Sequence, residues 1–145
     1  MASLLVPPGT INKLLTSVIF QSNPQLNITA DLTTPAMVRF RTEGEASKAI
    51  PLTTSSLPSP QPYQTAVLTC SLVRSQGIAQ IWESQRQTNS LIGSLLGYPD
   101  TTGLFAYLVT NCSIMNVEDQ AWDGETGAYV VSIRGTYQIN SALYV

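Results

Sequence analysis

Ala128-Tyr129-Val130-Val131-Ser132-Ile133-Arg134-Gly135-Thr136-Tyr137-Gln138-Ile139 alternates with period two. Tyr129, Val131, Ile133, Tyr137 and Ile139 fall on one side; Ser132, Arg134, Thr136 and Gln138 fall on the other. Successive side chains of a strand point to opposite faces, so the segment predicts a sheet with one dry face and one polar face. An Asp-Gly turn, Asp123-Gly124-Glu125-Thr126-Gly127, leads into it, and the pattern runs almost to Val145. No reactive group stands out in this stretch, which suits a wall better than a catalytic centre.

Working outward, Gln64 to Val73 alternates too, with Ala66, Leu68, Cys70 and Leu72 on one face and Thr65, Thr69 and Ser71 on the other beside Val67. Leu104 to Val117 reads as one long strand or two in series, with Asn111 as an irregularity. Between these segments lies the one good helix pattern. Ser75 can cap it, Ile78, Ile81 and Trp82 recur at helical spacing, Glu83 falls on the outer side, and Asn89 ends it. The apolar stripe is narrow, so the helix should lie on a sheet. Ser90 to Gly97 is an apolar run. Upstream, Leu14 to Phe20, Leu26 to Thr29 and Met37 to Arg41 read as strands, with a break at Thr33-Thr34-Pro35.

Thr42 to Tyr63 is different. It holds Gly44, Pro51, Pro58, Pro60 and Pro62, and proline cannot donate to a ladder, so no central strand is expected. It also carries Ile50, Leu52 and Leu57, which a plain linker does not need. It is read as a long loop that either finds its order against a neighbour or stays a floppy surface loop, the two readings weighing equally. The whole predicts a mainly β fold in a single domain, 1–145: a small β-barrel or sandwich with one flanking α-helix and the 42–63 excursion.

The chain has 145 residues, enough for a real core, and 43% of them are hydrophobic, which excludes a disordered protein. Only 11% are charged, which fits a surface covered by other subunits. The net charge is -2 and the seven basic residues form no run, so general affinity for DNA is not expected. Histidine is absent, which removes the commonest general base and metal ligand. Cys70 and Cys112 read as buried thiols, with a disulfide open if their strands are adjacent. Sequons at Asn27 and Asn111 matter only in a secretory pathway. Met1 to Pro7 lacks the basic lead and apolar length of a signal peptide, and no apolar run is long enough to span a bilayer.

No nucleophile elbow, phosphate cradle or dinucleotide fingerprint occurs, so no enzyme activity and no cofactor are expected. Glu118, Asp119, Asp123 and Glu125 cluster around Trp122. Paired carboxylates beside a Trp could serve a sugar-binding or sugar-hydrolysing β-sandwich, or hold Ca²⁺; the plainer reading is a solvated turn.

The succession Thr69-Cys70-Ser71-Leu72-Val73-Arg74-Ser75-Gln76, a helix, Thr88-Asn89-Ser90-Leu91-Ile92-Gly93, a Tyr-Pro-Asp turn, Asn111-Cys112-Ser113-Ile114, and Tyr129 to Tyr137 resembles a tail tube protein of tailed bacteriophages, whether contractile or long and non-contractile. The resemblance covers roughly Gln64 to Val145. It implies a structural virion protein in the tail, assembled in the bacterial host cytoplasm. Six copies would form a ring, and rings would stack into a tube that conducts the viral DNA without specific binding. Other partners implied are tail sheath, baseplate and tape measure proteins, with no membrane. The alternative within the virion is a baseplate, terminator or decoration protein. For contacts between rings the expected residues are Glu43, Glu45, Lys48, Ile50 and Leu57. For strands facing the lumen or a neighbouring subunit they are Thr65, Thr69, Ser132, Arg134, Thr136 and Gln138.

Overall fold

The computed structural model of the chain describes residues 9–143. The reading of Met1 to Pro7 lies outside them, as do positions 144 and 145. Nine strands are described: β1 Ser17–Phe20, β2 Ile28–Thr29, β3 Thr33–Glu43, β4 Ser47–Pro51, β5 Ser56–Pro60, β6 Tyr63–Val73, β7 Leu91–Tyr98, β8 Tyr107–Val117 and β9 Ala128–Gln138. The described α-helix, α1, is Gly77–Thr88. Seven strands form one antiparallel sheet in the order β2-β1-β7-β8-β9-β6-β3, curled into a nearly closed barrel; β4 and β5 form a separate two-stranded sheet. The mainly β fold with one flanking helix is therefore as expected.

β9 is the spine. It pairs with β6 without a slip over eleven rungs, from Tyr63 opposite Gln138 to Val73 opposite Ala128, and with β8 on its other side. Its dry face, Tyr129, Val131 and Ile133, packs with Leu68, Cys70 and Leu72 of β6 and with Val109, Cys112 and Ile114 of β8. Helix α1 turns Ile78, Ala79 and Trp82 into this core, where the Trp82 and Phe20 rings meet edge-on at 5.2 Å. Cys70 and Cys112 are both buried free thiols. Burial pushes each up to about 12, because the charged thiolate is disfavoured without water.

Asn111 marks one irregularity in β8, and a second register shift lies between Ile114 and Asn116. The φ of Asn111 is 52°, in the left-handed region that Asn tolerates better than most residues. Thr110 lies opposite Thr136 and Ser113 opposite Arg134, so Asn111 and Cys112 together face Gly135 alone. That is a β-bulge, and it adds the local twist a curled sheet needs. The glycine is required by space: a Cβ at position 135 would sit 2.5 Å from Val109 Cγ1 and 2.9 Å from the Thr110 carbonyl oxygen.

Some local expectations change. The chain before β1 is a 3₁₀ turn, Lys13–Leu15, closed by Leu14 N–H donating to Asn12 Oδ1 (3.0 Å), so the strand starts at Ser17 rather than Leu14. Leu26 likewise belongs to a 3₁₀ turn, and only Ile28–Thr29 pair. β3 runs through Thr33-Thr34-Pro35 by a register shift, with Met37 at φ 50°. Ser75 does not cap α1; Gln76 takes that place without a side-chain bond, whereas Asn89 does end the helix. Ile81 flanks the apolar stripe and is 40% exposed. Glu83 does not point simply to solvent, for it accepts a hydrogen bond from the Tyr129 hydroxyl (2.5 Å).

The largest correction concerns 42–63. It is not an irregular loop but a β-hairpin, flanked by the end of β3 and the start of β6. Gln61 N–H donates to the Ala46 carbonyl (2.9 Å) and Leu52 N–H to the Ser55 carbonyl (2.8 Å). Counting inward by twos, the bonded rungs are Lys48–Ser59 and Ile50–Leu57. Pro51, Pro58 and Pro60 occupy the intervening rungs, opposite Ser56, Ala49 and Ser47. Every one of these prolines stands where the amide would face outward, so none costs the hairpin a bond. Both strands are edges, the one sheet position that admits proline.

Candidate functional site

Two features of the surface stand out: the β4–β5 arm and the outer face of the sheet. Every strand residue of the arm is exposed except Ser59, which is half-buried. Paired residues share a face, so Lys48, Ile50, Leu57 and Ser59 lie on one side, and Ala49 and the prolines on the other. Ile50 is 48% exposed and Leu57 51%, so the arm displays apolar surface that it does not bury itself. Of the residues expected to act between rings, Lys48, Ile50 and Leu57 are thus brought together. Glu43 ends β3, where it pairs with Arg41 at 3.0 Å, and Glu45 lies in the bend before β4.

The foot of the arm is clamped. Asn140 Nδ2 donates to the Ala46 carbonyl (3.0 Å) and to the Gln61 carbonyl (2.7 Å), bridging its two legs. Gln64 Nε2 donates to the Gly44 carbonyl (2.8 Å). Asn140 itself has φ 55° and is the second residue past the end of β9. The arm is therefore aimed from the sheet. Asn140 and Gln64 were not among the expected site residues; a polar residue at a strand end carries no signal of the partner it will find.

The outer sheet face holds all six residues expected to meet the lumen or a neighbour. Thr65 lies opposite Thr136, Thr69 opposite Ser132, Val67 opposite Arg134, and Tyr63 opposite Gln138. Arg134 and Gln138 are exposed, Thr65, Thr69 and Thr136 half-buried, and Ser132 buried. The next strand out adds what the sequence did not reveal. Arg39 is opposite Thr69, Arg41 opposite Val67 and Glu43 opposite Thr65. One row across the sheet therefore reads Arg41, Val67, Arg134, Ser113. Val67 is only 1% exposed although it faces outward, consistent with long arginine stems lying over it. Three of the seven basic residues, scattered along the chain, are gathered here. Among the described residues neither Arg39 nor Arg134 makes an ion pair.

The acidic turn lies off the end of the sheet, between β8 and β9. Glu118, Asp119, Trp122, Asp123 and Glu125 are all exposed, Trp122 to 87%. Asp123 organises the turn: its Oδ1 accepts from the Glu125 and Thr126 amides (2.9 Å each) and its Oδ2 from the Thr126 hydroxyl (3.2 Å). Those amide bonds, Thr126 first, hold its carboxyl below the usual range. Arg74 fixes the other leg, its guanidinium donating to the Ala121 carbonyl and its amide to the Gly127 carbonyl (2.9 Å). No group of three His, Cys, Asp or Glu side chains among the described residues is placed to hold a metal ion.

A cleft of ≈ 480 Å³ marks the gap between β1 and β3, lined by Val18, Met37, Phe40, Leu95, Tyr98 and Tyr107 among others. Phe40, Tyr107 and Tyr137 stack at its edge, with Phe40 and Tyr107 4.8 Å apart. No protein-family model matches the chain, and comparison with curated proteins gives no match.

Proposed function

We propose that the chain is a structural subunit that assembles with copies of itself, as the tail tube of a tailed bacteriophage: rings, hexameric in that family, stacked into a conduit for genome ejection. The observation that carries this reading is the β4–β5 arm. A two-stranded hairpin is marginal alone in water, yet this one is clamped at its foot and holds Ile50 and Leu57 outward on one face. A surface so built is suited to a partner, and an arm that reaches beyond its own barrel is suited to the next ring. The low charge of 11% and the two-faced strands support the same reading.

Electron microscopy of the purified protein tests it. Rings or tubes are expected; a monodisperse monomer under all conditions overturns the proposal. Open-ended growth separates a tube subunit from a baseplate, terminator or decoration protein, since a cap does not polymerise alone. Because Ala46 and Gln61 already face each other across one bonded rung, Ser47–Pro60 can be replaced by a two-residue turn without disturbing the barrel. That variant should fold and form rings at most. Tubes of normal length from it would remove the arm from the stacking contact.

A further inference from the structure

The outer sheet face and the acidic turn are complementary, and one molecule cannot join its own. On the face stand Arg39, Arg41 and Arg134, and on the turn Glu118, Asp119 and Glu125 around an exposed Trp122. Arg134 lies six residues along β9 from Ala128, where the turn enters, which is about 20 Å of strand. Arg39 shares its row with Ser132 but stands at the far edge, three strands from β8. Among the described residues the ion pairs are Arg41 with Glu43 and Arg86 with Glu83, so Arg39 and Arg134 on the face, and Glu118, Asp119 and Glu125 on the turn, are left without an ion-pair partner.

We infer that the acidic turn of one copy docks on the arginine face of the next, making a head-to-tail contact between subunits. The inference rests on the self-assembly reading and names the surface that reading needs. It also chooses between the two roles open to the polar strands. A conduit that lets DNA slide must not hold phosphate, and arginines are strong phosphate ligands. A face carrying Arg39, Arg41 and Arg134 therefore turns to a neighbour and not to the lumen. Trp122 supplies the anchor: Trp and Arg dominate the energetics of protein interfaces, and a guanidinium over an indole face is attractive in its own right. The two surfaces differ, so the contact is heterologous. Such contacts close into a ring or continue as a filament, depending on the rotation between copies.

Charge reversal tests it. Arg39→Glu with Arg134→Glu should raise the concentration needed for assembly by roughly tenfold or more, because like charges then face each other. Asp119→Lys with Glu125→Lys should do the same; Asp123 is spared because it holds the turn together. All four changes in one chain, or a mixture of the two double variants, should restore assembly. Sedimentation and electron microscopy read the outcome, with circular dichroism to check that each variant folds. Arg39→Gln with Arg134→Gln, a milder pair, should give an intermediate loss. If the wild type assembles and both reversals assemble equally well, this interface is wrong while the self-assembly reading survives. A wild type that never assembles overturns both. Binding of polyphosphate that is lost in the Arg39, Arg134 variant, with assembly intact, makes the face a polyanion site and overturns the inference.

Discussion

At the scale of single residues, Gly135 is the position with least freedom. Val109, Thr110 and Cys112 of β8 crowd against it, and the obstacles to a Cβ include the Thr110 carbonyl, which cannot swing aside as a side-chain end could. Gly135→Ala should therefore destabilise by about 2 kcal/mol, with Tm lower by roughly 5 °C on thermal unfolding. An unchanged Tm would mean that the bulge relaxes freely. The sequence holds a trace of this, since a glycine inside an otherwise regular strand marks a bulge or a close approach. Which strand approaches is not legible, because β8 reaches Gly135 across a long loop. Glu83 offers a second test. Hydrogen bonds from Arg86 and then Tyr129 hold its carboxyl below the usual range. The folded state thus binds this proton less readily than the unfolded chain. The stabilisation is full above the ordinary carboxylate range and is lost as pH falls through the lowered value. Tyr129→Phe should cost about 2 kcal/mol at pH 7, and the gap to wild type should narrow in acid denaturation below about pH 4. A gap that is the same at pH 3 and pH 7 would show that the bond to Glu83 is not its source.

Among elements, the strands with clear alternation, β6 and β9, could be read from the chain, and so could the helix and its end at Asn89. The arm could not. Its prolines exclude a central strand, and both arm strands are edges; what their number hides is their spacing, for Pro58 and Pro60 are two apart and Pro51 falls on the same set of rungs. Proline at every second position of an edge hairpin removes only amides that no strand would have used. It also blocks any further strand from pairing along those edges, a protection that exposed edges need. The arm's direction rests on Asn140. Asn140→Ala removes both amide bonds to its legs and places alanine at φ 55°, a conformation Asn tolerates better. The expected result is a loss of about 1–2 kcal/mol. Amide exchange should quicken selectively in Lys48, Ile50, Leu57 and Ser59, the bonded rungs. Exchange that quickens equally in β6 and β9 would mean that Asn140 supports the barrel and not the arm.

For the whole molecule, what the chain could not disclose is neighbourhood. Arg39 and Arg134 lie 95 positions apart in sequence, and only the pairing of β3 and β9 with the two edges of β6 sets them on one face. The same holds for Cys70 and Cys112, whose burial was legible from their apolar neighbours but whose free state was not. Those thiols report on the entire barrel, since Cys70 is fully buried and Cys112 is 2% exposed. Burial raises both to about 12 from the ordinary 9. The native state therefore keeps its protons where the unfolded chain releases them. This contribution is intact below pH 9 and drains away as pH rises from about 9 towards 12, so stability should fall through that alkaline window. At neutral pH a thiol reagent should find neither cysteine in the native protein and both in denaturant. Between those limits the rate should follow the open population, because the thiols become reachable only when the barrel parts. Assembly binds the folded state alone, so by mass action it should slow labelling further as protein concentration rises. A labelling rate that does not depend on concentration, in a range where sedimentation detects assemblies, would mean that the barrel opens as readily inside the assembly as outside it.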